Sequence, residues 1–306
     1  MIGMADLDVA ARRRLAVFLG ILIILVAGFS VGSWRFRLDL LALGPIYMFT
    51  PLLAAAIVCR GDNISLRDVG CRLGKRRWLI VSAVIWPPIA LTIAGISILI
   101  PGIRFDSSII VSETGVPNEP LWLLAGLIGL ILALVVIGMT VNAVFALGEE
   151  FGWRGYLLWE LAPLGFWKAS FLIGTIWGLW HAPLVLAGLN YPSFPLVGVF
   201  IFTLVCIVIS PIFTYLVVRG ESVLPAVFFH GVFNAAGLTV LAGTSDPVLR
   251  VLVASEGGVV GLLVFALISI LIWRVGTPKM ANPFADRSID LGSERTSVGA
   301  LSKQTD

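Results

Sequence analysis

Two histidines are all this chain carries, and both sit within apolar stretches: His181 in FLIGTIWGLWHAPLVLAGL and His230 in VLPAVFFHGVFNAAGLTVL. A third apolar stretch ends in the acidic pair Glu149-Glu150, with Arg154 one helical turn further on. Acids and bases at membrane depth each cost about 2.5–3.5 kcal/mol on insertion scales, and where they occur they mark function. Glu150 and Arg154 are spaced i,i+4, so on a helix they face each other and can pair. Glu149 points about 100° away from Glu150, which leaves one acid free while its neighbour is neutralised. A free carboxylate in a dry site suits general-base work. His230 and Asn234 are again i,i+4 on one helix face, and both can donate to a developing oxyanion. Each feature has a plainer reading. The acids fit a helix-end pair in the headgroup region, His181 a core imidazole bonded to a backbone carbonyl, and Asn234 an interhelical contact. Glu149, Glu150, Arg154, His181, His230 and Asn234 together, on three neighbouring apolar segments, point to a catalytic site.

The elements that must hold these residues are membrane helices. The chain has 306 residues, 58% hydrophobic and only 13% charged, with a net charge of +3. A soluble domain is nearer a quarter charged. Apolar stretches run near 15–33, 39–59, 78–100, 121–147, 166–189, 195–218, 222–241 and 251–273. Each approaches the roughly 20 residues that cross a bilayer as a helix. The expected fold is therefore all-α and polytopic, with about eight transmembrane helices around a cavity open to the cytoplasm. The first stretch follows Arg12-Arg13-Arg14 and lacks a small-residue cleavage site before Trp34, so it reads as a retained helix and not a signal peptide.

With the N-terminus in the cytoplasm, only Arg35, Arg37, Arg104 and Arg250 fall outside, and every other Lys and Arg falls inside. The positive-inside rule favours that topology, with both termini cytoplasmic. The expected organisation is a cytoplasmic N-terminus (1–14), helices one to three with their loops (15–120), a catalytic core (121–241), a last span (242–274) and a disordered cytoplasmic tail (275–306). Cys59, Cys71 and Cys206 have neither disulfide nor metal spacing. The modest positive charge fits membrane-side bias and not nucleic-acid binding. No dinucleotide or Walker fingerprint and no internal repeat is visible by eye.

These residues resemble a known family. GEEFGWRGYLL is similar to the EExxxRGxL motif of the CPBP family, the CAAX-protease and bacteriocin-processing intramembrane peptidases. The family's second motif, a Phe four residues before a His, appears with Trp for Phe as Trp177 and His181. Its third, a His three residues before Asn, fits His230 and Asn234. The likeness covers about 142–240, with the motifs in the family's order. It implies an intramembrane endopeptidase of the bacterial plasma membrane, acting on a membrane-associated protein or peptide in CAAX-type or bacteriocin-related processing. By the same likeness Glu149 activates water with His181 assisting, Glu150 and Arg154 organise the site, and His230 and Asn234 hold the oxyanion. A metal version would use Glu149, His181 and His230 as zinc ligands. No HExxH is present, and a metal-free glutamate mechanism is preferred. Two other classes fit the same residues, a proton-coupled transporter and a non-catalytic immunity or adaptor protein on this scaffold. The first would line a pathway through the whole membrane thickness with polar groups, which the first three stretches lack.

Overall fold

The computed structural model describes residues 7–235, 237–280 and 284. It is an all-α polytopic membrane protein, and its strand content among the described residues is one two-residue ribbon, β1 (Arg104–Phe105) against β2 (Ala242–Gly243). Six helical runs are long and apolar enough to cross a bilayer: Val9–Phe36, Gly44–Gly61, Arg76–Ile98, Pro120–Leu164, Pro195–Gly220 and Leu224–Leu241. Their outward faces are apolar; Ile23, Leu132, Phe200 and Leu263 are all more than 60% exposed. Such a surface needs lipid to cover it.

The helices used below are α1 (Val9–Phe36), α2 (Thr50–Gly61), α3 (Arg76–Val84), α4 (Trp86–Ile98), α5 (Pro120–Ile137), α6 (Ala143–Glu150), α7 (Phe166–Trp180), α8 (Ala182–Leu186), α9 (Pro195–Gly220), α10 (Leu224–Ala235) and α11 (Val259–Val275). Eight apolar stretches thus give six runs of full length among the described residues. The stretch 166–189 is the main departure. It divides into α7 and α8 at His181, because Pro183 has no N–H for the carbonyl one turn back and its ring disfavours helical continuation. The last stretch yields only the 17-residue α11, since Ser255 to Gly258 form turns before it. Most of the tail expected to be disordered lies outside the described residues.

The helical run does not stop at the acidic pair. Helical structure continues past Glu150 to Leu164, so the pair lies inside a 45-residue run and not at a helix end. That run is widened twice into π-helix, at Gly138–Asn142 and at Phe151–Leu157, on either side of α6. Such wide turns are rare and recur at functional sites.

Polar contacts group the chain ends into two sets. At one end Arg13 pairs with Asp62 at 2.6 Å and Arg14 with Glu160 at 2.9 Å. At that end too, Val223 N–H donates to the Gly70 carbonyl and Lys75 N–H to the Gly220 carbonyl. At the other end β1 meets β2, and Tyr191 Oη donates to the Gly257 carbonyl at 2.5 Å. The first set lies at the end that carries Arg13, Arg14, Arg72, Lys75 and Arg219.

Small residues bring the site helices close. An added Cβ at Gly174 or Gly178 would lie 2.6 Å from the backbone of α9. Gly138 and Gly231 face each other so tightly that a Cβ on either would strike the other helix's backbone. These contacts lay α7 on α9 and α10 on the first π-helical segment, the small-residue packing that membrane helices use.

Candidate active site

Glu149 and Glu150 end α6, Arg154 lies in the second π-helical segment, His181 occupies the α7–α8 break and His230 is midway along α10. The structure brings all five together and closes them off, with exposures of 2%, 0%, 0%, 8% and 3% in that order. That burial does not fit a solvent-exposed acidic pair at a helix end.

Glu150 is the hub. Its carboxylate accepts from Arg154 Nη1 at 3.0 and 3.2 Å, and its Oε1 accepts from His230 Nδ1 at 2.8 Å. A buried cation survives only with such partners. The Arg154 guanidinium carbon also lies 4.3 Å from the Trp177 ring centre and 4.2 Å from that of Phe213. Cation–π contacts are strongest when dry. Arg154 Nη2 donates to Ser210 Oγ at 3.4 Å, while its Nε is buried without an acceptor.

Glu149 is held differently. Trp177 Nε1–H donates to its Oε2 at 2.7 Å. Trp177 therefore does more than supply an aromatic wall: it pins the acid by one oxygen and stands between the imidazoles, at 5.7 Å from His181 and 5.5 Å from His230. His181 Nδ1 lies 2.8 Å from the Trp177 carbonyl. A carbonyl only accepts, so the proton sits on Nδ1 and leaves Nε2 with its lone pair. That bond is the core-histidine contact considered above, and it also fixes the ring. His230 likewise commits Nδ1 to Glu150 and keeps Nε2 free. A fixed tautomer is the usual work of such a partner.

Asn234 is not among these contacts. It is exposed near the end of α10, one turn beyond the buried His230, and no described residue hydrogen-bonds to it. Three groups that do join the site escaped the sequence reading: Ser210, Phe213 and the Ser170–Thr214 pair behind Ser210. The one signal for them was a Ser-Pro step, Ser210-Pro211, inside an otherwise apolar span.

Part of the chain resembles known proteins. Residues 131–236 match the family described as Type II CAAX prenyl endopeptidase Rce1-like. That interval contains every residue discussed above from Glu149 to Asn234. That part of the chain is therefore similar to the CAAX-protease family. The chain is also 32% identical over 127 residues to CAAX prenyl protease 2 of Methanococcus maripaludis. That similarity covers 39% of this chain and 44% of the relative. The CPBP-like motifs thus fall on α6 with its π-helical extension, on α7 and on α10; Gly174 and Gly178 pack α7 on α9, and Gly138 and Gly231 pack α10 on the first π-helical segment. Among the described residues no three His, Cys, Asp or Glu side chains gather closely enough to hold a metal ion. Glu149, His181 and His230 are not gathered into such a cluster, while both Nε2 atoms and one Glu149 oxygen stay uncommitted.

Proposed function

We propose that this chain is an intramembrane endopeptidase that hydrolyses a peptide bond in a membrane-anchored protein or peptide, as the name of its relative suggests. The observation that carries the reading is the hydrogen-bond pattern around Trp177. One carboxylate is held by a single oxygen, two imidazoles have free Nε2 atoms, and a second carboxylate is spent on Arg154 and His230.

The chemistry follows from those free atoms. Glu149 takes a proton from water, and the oxygen attacks the carbonyl carbon as the C–O bond forms. His181 Nε2 accepts a hydrogen bond from the same water and orients it. Charge moves to the carbonyl oxygen, where His230 Nε2–H donates in the imidazolium form, with Glu150 at its other nitrogen. The tetrahedral species collapses, the C–N bond breaks, and Glu149 returns its proton to the leaving amine. Arg154 offsets the charge of Glu150, leaving Glu149 as the working base. Asn234 stands at the rim and adds an amide donor when the site opens toward the cytoplasm. The expected setting is the plasma membrane of a bacterial cell with both termini inside.

The test is hydrolysis in liposomes of membrane-anchored peptides, prenylated and plain, in ¹⁸O-labelled water. One labelled oxygen should enter the new carboxylate with the wild type and none with Glu149→Gln. If no anchored peptide is cut while the protein dissipates a proton gradient in a Glu149-dependent way, the peptidase reading falls and a transporter replaces it.

A further inference from the structure

A second polar cluster lies away from these residues, where the segment before α3 meets the end of α9. Three buried N–H donors there have no acceptor: Arg72 Nη2, Trp78 Nε1 and Arg219 Nε. Unsatisfied buried donors are rare and each calls for a cause. These three belong to one assembly. Arg72 Nε donates to the Glu221 carbonyl at 2.7 Å, and Lys75 N–H donates to the Gly220 carbonyl at 2.8 Å. Trp78 stands edge-on to Tyr215 at 5.7 Å, and Arg219 lies over the same Tyr215 ring at 5.2 Å.

An anion would supply the missing acceptor. Arg72 and Arg219 belong to the cluster, Arg77 lies over the Trp78 ring at 5.8 Å, and Lys75 Nζ binds Glu221 at 2.6 Å, the one acid hydrogen-bonded to the cluster among the described residues. Helix α3 starts here with no side-chain cap and no acid in its first turn. Its positive dipole end is therefore unanswered. Three of the apolar runs, Arg76–Ile98, Pro195–Gly220 and Leu224–Leu241, begin or end within this cluster. It therefore sits at headgroup depth, at the end of the molecule that carries the basic excess. Basic clusters beside membrane helices attract anionic lipid, and guanidinium groups suit phosphate.

We propose that Arg72, Trp78 and Arg219 bind the phosphate of an anionic phospholipid headgroup at this interface, a lipid site separate from the catalytic residues. A free phosphate ion or a peptide carboxylate would share the donors, but neither is concentrated at this depth as the headgroups are.

The full-length protein in neutral detergent is titrated with fluorescent short-chain phosphatidylglycerol. Phosphatidylcholine, inorganic phosphate and a peptide with a free C-terminal carboxylate serve as competitors. Saturable binding that phosphatidylcholine does not displace is expected, with inorganic phosphate competing only weakly. Losing one charge-assisted donor should weaken binding about tenfold or more in Arg219→Gln. Trp78→Phe keeps the ring, removes one orphaned donor, and should weaken binding severalfold without lowering the lipid-free melting temperature; it serves if Arg219→Gln does not fold. Equal competition by phosphatidylcholine, or unchanged affinity in Trp78→Phe, overturns the site. Tighter binding of inorganic phosphate or of the carboxylate peptide overturns the lipid assignment. Each result is read without reference to proteolysis, so failure here leaves the peptidase reading standing.

Discussion

Replacing Arg154 by Ala tests the hub of the site. The side chain is wholly buried, gives Nη1 to both oxygens of Glu150 at 3.0 and 3.2 Å, and stacks between Trp177 and Phe213. Its loss leaves Glu150, itself 0% exposed, with His230 as its remaining charged partner. Breaking a buried pair by removing one member costs about 3–5 kcal/mol. At about 1.4 kcal/mol per power of ten, that is roughly two to four powers of ten in the folding equilibrium. Against a typical total of about 5–15 kcal/mol, the variant should be visibly unstable. Most of the penalty belongs to the stranded carboxylate, so the double variant Arg154→Ala with Glu150→Gln should recover half or more of it. Denaturant titration in mixed micelles, followed by tryptophan fluorescence, measures both proteins. A single variant as stable as wild type, or a double variant no better than the single, would refute the reasoning.

Glu149→Gln keeps the shape of the side chain and loses the base, so single-turnover hydrolysis should drop about 10²–10⁴-fold with the melting temperature unchanged; normal turnover sinks the assignment. Trp177→Phe keeps the ring between the imidazoles and removes the donor to Glu149, a charge-assisted bond of about 1.5–3 kcal/mol; activity measured per folded molecule should fall, and a variant at full rate shows that the pinned oxygen is irrelevant. Gly231→Ala drives a Cβ into the Gly138 carbonyl and should cost about 1–3 kcal/mol or more, read as lower yield and melting temperature. Asn234→Ala touches no described partner, so the melting temperature should stay put while turnover falls about 10²-fold if the amide meets the oxyanion; unchanged turnover removes it from the mechanism.

What could be read in advance depended on the range of the interaction. Glu150 and Arg154 were legible as a pair because i,i+4 spacing survives even where the helix widens. His181 was legible as an intramembrane polar residue, and the break it occupies was foreshadowed by Pro183. The apolar runs marked the fold class, while proline or glycine shortens some of the helices they form. Ser210 and Phe213 were invisible in this role, because they reach Arg154 from α9 across the bundle and nothing local marks that contact. Asn234 lies apart from the buried group for the opposite reason. Its spacing places it on the face of His230, but helical phase says nothing about depth, and the burial ends one turn before it.

The closure of the five site residues has a consequence for how any substrate is captured. If these residues act on a peptide as proposed, their burial, with none more than 8% exposed, requires the surrounding helices to part before it binds. Apparent affinity is then the intrinsic affinity multiplied by the fraction of open molecules; at about one open molecule in a hundred, binding weakens about a hundredfold. A segment that also grips the open form repays that deficit, whereas a passing chain does not. Restraint toward the wrong substrate is then a population effect: the shut bundle keeps its acid and its imidazoles away from bystander proteins, and discrimination begins before any peptide bond reaches Glu149.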